Sequence, residues 1–94
     1  MDHEPGPKPY RSTPMFDHLT LPAALRREHR TKPGVWGVVR VLRGRLKLSF
    51  GDPAEEQILS PGCPGLLPPA KAHWVEPLGP MQMQVDFYKR APKL

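Results

Sequence analysis

The stretch VWGVVRVL (35–42) decides the fold of this chain. It is rich in β-branched and aromatic residues, which fit the pleated surface of a sheet. Arg43-Gly44 follows and predicts a two-residue hairpin turn, because glycine readily supplies positive φ. The next stretch, RLKLSF (45–50), alternates polar and apolar residues, as a strand with one buried face does. The side chains expected in the core are Leu46, Leu48 and Phe50.

Further short stretches with the composition of strands lie between turns made of proline and glycine. Residues 22–27 would suit a short helical turn, but a turn that leads into an extended strand at residues 26–31 is favoured. The other predicted strands are 55–59, 65–68, 73–76 and 81–88. Seven or eight short strands at this regular spacing indicate an all-β sandwich or small barrel.

The composition agrees with an all-β class. The chain has 94 residues, 14 prolines and 8 glycines, far too many turn formers for a helical protein. This length predicts one domain at residues 10–90, with a flexible N-terminal tail at residues 1–9 and a C-terminal tail at residues 91–94. A domain of this size buries only about 60% of its unfolded surface, so a bound metal or dimerisation would help to stabilise it.

The charge of the chain and its lack of targeting signals limit which partners and which compartment are expected. The formal net charge is +5, but basic residues alternate along residues 45–48 as on a solvated sheet face, and no zinc-finger or RNA-binding signature accompanies them. Nucleic acid is therefore not an expected partner. Cys63 is the only cysteine, which excludes an intrachain disulfide and fits a reducing compartment. No signal peptide or membrane-spanning run is evident, so a cytoplasmic location without a membrane is expected.

Several blocks of the sequence resemble a known family. They place a histidine on a strand, a glycine turn after it, and a proline loop that leads into a second histidine. The blocks are YRSTP (10–14), REHRTKPGVW (27–36), VLRG (41–44), HWVEPL (73–78) and QVDFY (84–88). Together they resemble the cupin double-stranded β-helix and, within it, a small bacterial family related to the N-terminal region of tellurite-resistance protein B. This resemblance implies a jelly-roll barrel that is usually a homodimer and often holds a divalent metal between histidines.

The sequence departs from the usual cupin pattern at three positions. Thr31 stands where the first motif has its second histidine, and Gly37 lies near the usual glutamate. Ala70 takes a place that glycine often holds in the second motif. His29 and His73 are therefore the two motif ligands that the chain retains.

The resemblance predicts a metal site that includes His29 and His73. Zinc is the first choice because it accepts imidazole and carboxylate ligands, and iron or nickel are alternatives. Asp86 is the expected third ligand, and Gln84 beside it is expected to be a further ligand or to orient one, provided that the polar face of residues 81–88 points into the barrel. The alternative is that both histidines are hydrogen-bonded side chains without a metal.

Three functions follow as competing expectations. The first is a metal-binding cupin-like protein of a tellurite-resistance or stress-related family that binds a small ligand. The second is a metal-dependent oxygenase or isomerase that uses His29 and His73, and the third is a structural dimer that binds a partner. Arg11, Arg27 and Lys71 could form a positive rim for an anionic ligand, although solvated side chains are the simpler interpretation.

Overall fold

A computed structural model describes residues 7–94, which form eight strands and one short helix. The elements are β1 (Arg11–Ser12), β2 (Phe16–Asp17), α1 (Ala23–Arg26), β3 (Trp36–Arg43), β4 (Leu46–Gly51), β5 (Ala54–Leu59), β6 (Gly65–Leu67), β7 (His73–Pro77) and β8 (Gln82–Tyr88). The all-β class is confirmed. Residues 1–6 of the expected N-terminal tail lie outside the described residues, and the domain limits stay a prediction.

The strands form two antiparallel sheets. One has the order β1-β8-β3-β6, with β2 also paired to β8, and the other has the order β5-β4-β7. Side chains from both sheets form a single apolar core, in which Leu46, Leu48 and Met83 are completely buried. Two facing antiparallel sheets are compatible with a jelly roll, and the cupin assignment itself stays a prediction.

The turn at Gly44 connects the two sheets, so the predicted hairpin between residues 35–42 and 45–50 is wrong. β3 lies between β6 and β8, whereas β4 lies between β5 and β7. Both edges of each strand are occupied by other partners, and the chain therefore passes from one sheet to the other. The predicted core face of β4 is nevertheless confirmed, because Leu46, Leu48 and Phe50 are at most 4% exposed.

The strand predicted at residues 26–31 is also wrong. Ala23–Arg26 is a single helical turn that follows Pro22, a residue that is tolerated at a helix start because no N–H is needed there. An extended segment follows, and its pairing is one isolated bridge between His29 and His73. No helix in residues 7–94 has the length and hydropathy to cross a membrane.

Gly44 and Gly34 test the connection between the sheets. Both have positive φ, 73° and 79°, but a Cβ at Gly44 would collide with the Pro80 carbonyl oxygen, whereas one at Gly34 would meet nothing within 4 Å. We expect Gly34→Ala to lower the free energy of unfolding by about 1 kcal/mol. Gly44→Ala should lower it by about 1–3 kcal/mol more, because overlap adds to the backbone strain. Equal losses in urea denaturation would contradict the described crossover.

Candidate functional site

Reciprocal backbone hydrogen bonds bring two histidines together. The His29 amide donates to the His73 carbonyl at 3.0 Å, and the His73 amide donates to the His29 carbonyl at 2.9 Å. Residues paired in this way across antiparallel strands present their side chains on the same face. The two imidazole rings accordingly meet edge to face, with centroids 4.1 Å apart and an interplanar angle of 66°.

Each imidazole is oriented by a backbone carbonyl two residues earlier. His29 Nδ1 lies 2.8 Å from the Arg27 carbonyl oxygen, and His73 Nδ1 lies 2.9 Å from the Lys71 carbonyl oxygen. A carbonyl oxygen only accepts hydrogen bonds, so Nδ1 must carry the proton in both rings. In the neutral form, Nε2 of each ring is then a hydrogen-bond acceptor or a potential metal ligand.

The two histidines line a mainly apolar cavity of about 130 Å³ between the sheets. This volume is similar to that of a cavity of about 150 Å³ that is known to hold benzene. Aliphatic and aromatic side chains from both sheets and from α1 make most of the wall. These lining residues are Leu25, Val39, Leu67, Val75, Met83, Val85 and Phe87, with Thr13, Arg30 and Thr31 as polar members.

His73 is the more deeply buried of the two histidines, with 1% of its surface exposed. This burial lowers its pKa from the ordinary value of 6.5, because the cationic ring would lose its hydration. The hydrogen bond to the Lys71 carbonyl acts in the opposite direction, and the neighbouring His29 lowers the pKa further. His73 is therefore neutral at pH 7.5, with its Nε2 lone pair available.

Arg30 and Thr31 hold the loop that precedes His73. Arg30 donates to the Ala70 carbonyl at 2.9 Å, and the Ala70 amide donates to Thr31 Oγ1 at 3.2 Å. Ala70 has a φ of 59°, a left-handed conformation that costs a non-glycine residue about 1–2 kcal/mol. The two hydrogen bonds help to offset this strain. Thr31, which the resemblance placed at the position of a second histidine ligand, is therefore a loop anchor that the sequence did not predict.

The structure does not bring Asp86 and Gln84 to the histidines. Met83 and Val85 of β8 face the cavity, and alternation places Asp86 and Gln84 on the other side of the strand. Asp86 accepts hydrogen bonds there from Ser12 Oγ at 2.7 Å and from Arg40 Nε at 2.8 Å. The assumption that the polar face of β8 points inward is wrong, since the apolar face fills the core as in an ordinary strand.

The described residues supply only two of the four ligands expected for a metal. The carbonyl-bound Nδ1 atoms match the way in which metal-binding histidines are usually held. However, residues 7–94 contain no group of three or more His, Cys, Asp or Glu side chains that could hold a metal ion. Zinc sites normally have three or four protein ligands, and a two-histidine, one-carboxylate iron site also needs a third. The donor set is therefore incomplete for a resident metal.

The chain matches a known family over most of its length. A family model described as the TehB-like domain covers residues 11–85. The chain belongs to the TehB-like domain family. Its expected relation to the N-terminal region of tellurite-resistance protein B is thereby confirmed.

Curated relatives and solved structures resemble this TehB-like domain. Two strains of Haemophilus influenzae have a "Probable S-adenosyl-L-methionine-dependent methyltransferase TehB" that is 36% and 34% identical over 56 residues. Each match covers 55% of this chain and only 20% of the relative. The crystal structure of H. influenzae TehB superposes with a TM-score of 0.77 at 29% identity, over 85% of this chain and 30% of that one. A protein from Escherichia coli K12 superposes with a TM-score of 0.82 at 25% identity, over 99% of both chains.

The lowered pKa of His73 predicts a pH dependence of stability for this TehB-like domain. When the pH falls below 6.5, His73 takes up a proton in the unfolded chain before it does so in the folded one. The free energy of unfolding should therefore fall as the pH is lowered from 7.5 through 6.5, until the folded pKa is reached. Urea denaturation at pH 7.5 and 5.5 measures the change. His73→Gln should show a smaller change than the wild type and than a His18→Gln control, and an unchanged slope would contradict the assignment.

Proposed function

We propose that this TehB-like domain is a binding module for a small molecule that has an apolar body and a hydrogen-bond donor. The observation that carries the proposal is the cavity of about 130 Å³, which combines an apolar wall with two imidazole acceptors. Binding sites for small molecules characteristically combine such a wall with a few polar groups in fixed positions.

The two parts of the cavity have different roles in this proposal. Burial of the ligand against Val85, Met83 and Phe87 provides affinity of about 25 cal/mol for each Å² of apolar surface removed from water. The Nε2 atoms of His29 and His73 provide selectivity, since a ligand without a donor leaves a desolvated acceptor unpaired. Such an unpaired group costs about 1–3 kcal/mol.

Phenol and toluene form a suitable pair of probes, because they are similar in size and differ in one hydroxyl group. Phenol should bind about tenfold more tightly than toluene, because one satisfied acceptor contributes about 1.4 kcal/mol and this energy corresponds to a tenfold ratio of affinities. Chemical-shift titration of the domain measures both affinities and maps the affected residues. Shifts at Val85 and His73 would support the proposal. The proposal would be contradicted if neither probe binds, or if the shifts are confined to other parts of the chain.

A divalent metal at His29 and His73, with zinc first and iron or nickel as alternatives, is a second candidate. The specific observation in its favour is that carbonyl oxygens fix the proton of both rings on Nδ1, which leaves both Nε2 atoms unprotonated. Because the described residues offer no third ligand of the usual types, the remaining positions would be filled by water or by a bound molecule. The oxygenase or isomerase reaction stays a prediction, as do the homodimer and the cytoplasmic location.

Zinc titration of the purified, chelator-treated domain tests the second candidate. A bound ion should raise the melting temperature of the wild type, because a ligand that binds only the folded state stabilises it. His29→Ala and His73→Ala should each weaken zinc binding by about tenfold or more. His18→Ala is the matched control, since His18 lies outside the cavity, and it should respond like the wild type. Equal zinc responses in all three variants would exclude the histidine pair as the site.

The relation to TehB bears on the context of this binding activity. The chain spans about a fifth of the length of the curated H. influenzae relatives, which carry the name of a probable methyltransferase. We propose that the module binds its small molecule in the tellurite-resistance or stress-related setting that the family relation suggests.

A further inference from the structure

We infer that the ligand of the histidine cavity carries a carboxylate, which binds in a basic mouth formed by Arg11, Arg30 and Lys32. This inference rests on the proposed binding function and names the class of ligand, a small carboxylic acid with an apolar body. The hydrogen-bond donor of the ligand would lie at the imidazoles, and its carboxylate at the three cations.

A second cavity adjoins the first and defines the mouth. Its volume is about 220 Å³, and it is lined by Tyr10, Arg11, Arg30, Thr31, Lys32, Val35 and Phe87. Three of these residues, Arg30, Thr31 and Phe87, also line the histidine cavity. The imidazoles line only the inner cavity, whereas Arg11 and Lys32 line only the mouth. A single molecule that extends through both cavities would therefore meet acceptors within and cations at the opening.

Among the described residues that line the two cavities, every formally charged side chain is positive. The residues that line the two cavities include three cations and no aspartate or glutamate. The salt bridges found among the described residues involve Arg40 and Lys47 and none of the three mouth cations. Arg30 uses one guanidinium nitrogen to hold the Ala70 carbonyl, and its fork of five N–H donors leaves others for a ligand. An apolar cavity that opens between cations without a salt bridge to any carboxylate of residues 7–94 is complementary to an amphipathic anion.

The apolar wall of the inner cavity favours an organic acid over an inorganic anion as the ligand. The wall is largely apolar, and an inorganic oxyanion there would lose hydration with Arg30 as the one cationic lining residue among those described. Phosphate would be confined to the mouth and would gain nothing from Met83, Val85 or the histidines. A carboxylic acid with a body of about six heavy atoms fills a cavity of benzene size and leaves its charge outside. 4-Hydroxybenzoate has this composition and serves as the probe.

The experiment compares 4-hydroxybenzoate with 4-hydroxybenzamide, its neutral analogue, by calorimetry and chemical-shift titration. At low salt, the acid should bind about fivefold to tenfold more tightly than the amide. The difference should shrink at 0.5 M sodium chloride, at which exposed charges are screened over about 4 Å. In Arg11→Gln/Lys32→Gln, the acid should lose most of its advantage while phenol binds as in the wild type. Arg45→Gln, a change of one exposed cation outside both cavities, is the control and should retain the preference.

The outcomes separate this inference from the proposed function. Equal affinities of the wild type for the acid and the amide would overturn the inference that the ligand carries a carboxylate. Phenol binding in the cavity would still support the proposed binding module in that case. Binding of inorganic phosphate as tight as that of 4-hydroxybenzoate would also overturn it, because the inner cavity would then contribute nothing. Failure of phenol to bind in the cavity would overturn the proposed function itself.

Discussion

The site depends on the pair of backbone hydrogen bonds between His29 and His73. This bridge is the strand pairing of the segment after α1 within residues 7–94, and together with the bonds of Arg30 and Thr31 to Ala70 it fixes the segment against β7. The same bridge sets both imidazoles on one face, 4.1 Å apart. Because each ring also donates from Nδ1 to a carbonyl of its own segment, the backbone determines where the two Nε2 lone pairs lie. The polar chemistry of the cavity is thus a consequence of main-chain geometry, and β8 supplies much of the apolar wall, with single residues from β3, β6, β7 and α1.

The sequence predicted local features better than long-range pairing. Alternation along residues 45–50 identified the buried face of β4, because that pattern reflects burial of one side of a strand. It could not identify the partners of β4, since β5 and β7 are chosen by the whole topology, and a glycine turn is compatible with a hairpin or a crossover. The charged residues around His29 mimicked an alternating strand, whereas α1 forms from Ala23 and Ala24, which have high helix propensity.

The candidate site shows the same division. The family resemblance predicted that His29 and His73 would meet, although 43 positions lie between them in the sequence. The prediction for Asp86 was wrong, because it required the polar face of β8 to point inward. The apolar face, with Met83 and Val85, is the one that faces the core, as in an ordinary strand. The role of Thr31 as a loop anchor could not be predicted from the sequence. The left-handed conformation of Ala70 and its hydrogen bond to Thr31 become evident only when the two segments are adjacent. In physical terms, apolar burial specifies the cavity wall, and non-local contacts specify its polar groups.

The most direct test of this account is the protonation of the two imidazoles, measured by two-bond ¹H–¹⁵N correlation NMR at pH 7.5. The carbonyls of Arg27 and Lys71 require the proton on Nδ1 of His29 and His73, with Nε2 free. We expect the Nδ1–H tautomer for both rings in the absence of ligand. An Nε2–H tautomer of either histidine would contradict the proposed binding site, because the cavity would then present a hydrogen-bond donor in place of an acceptor.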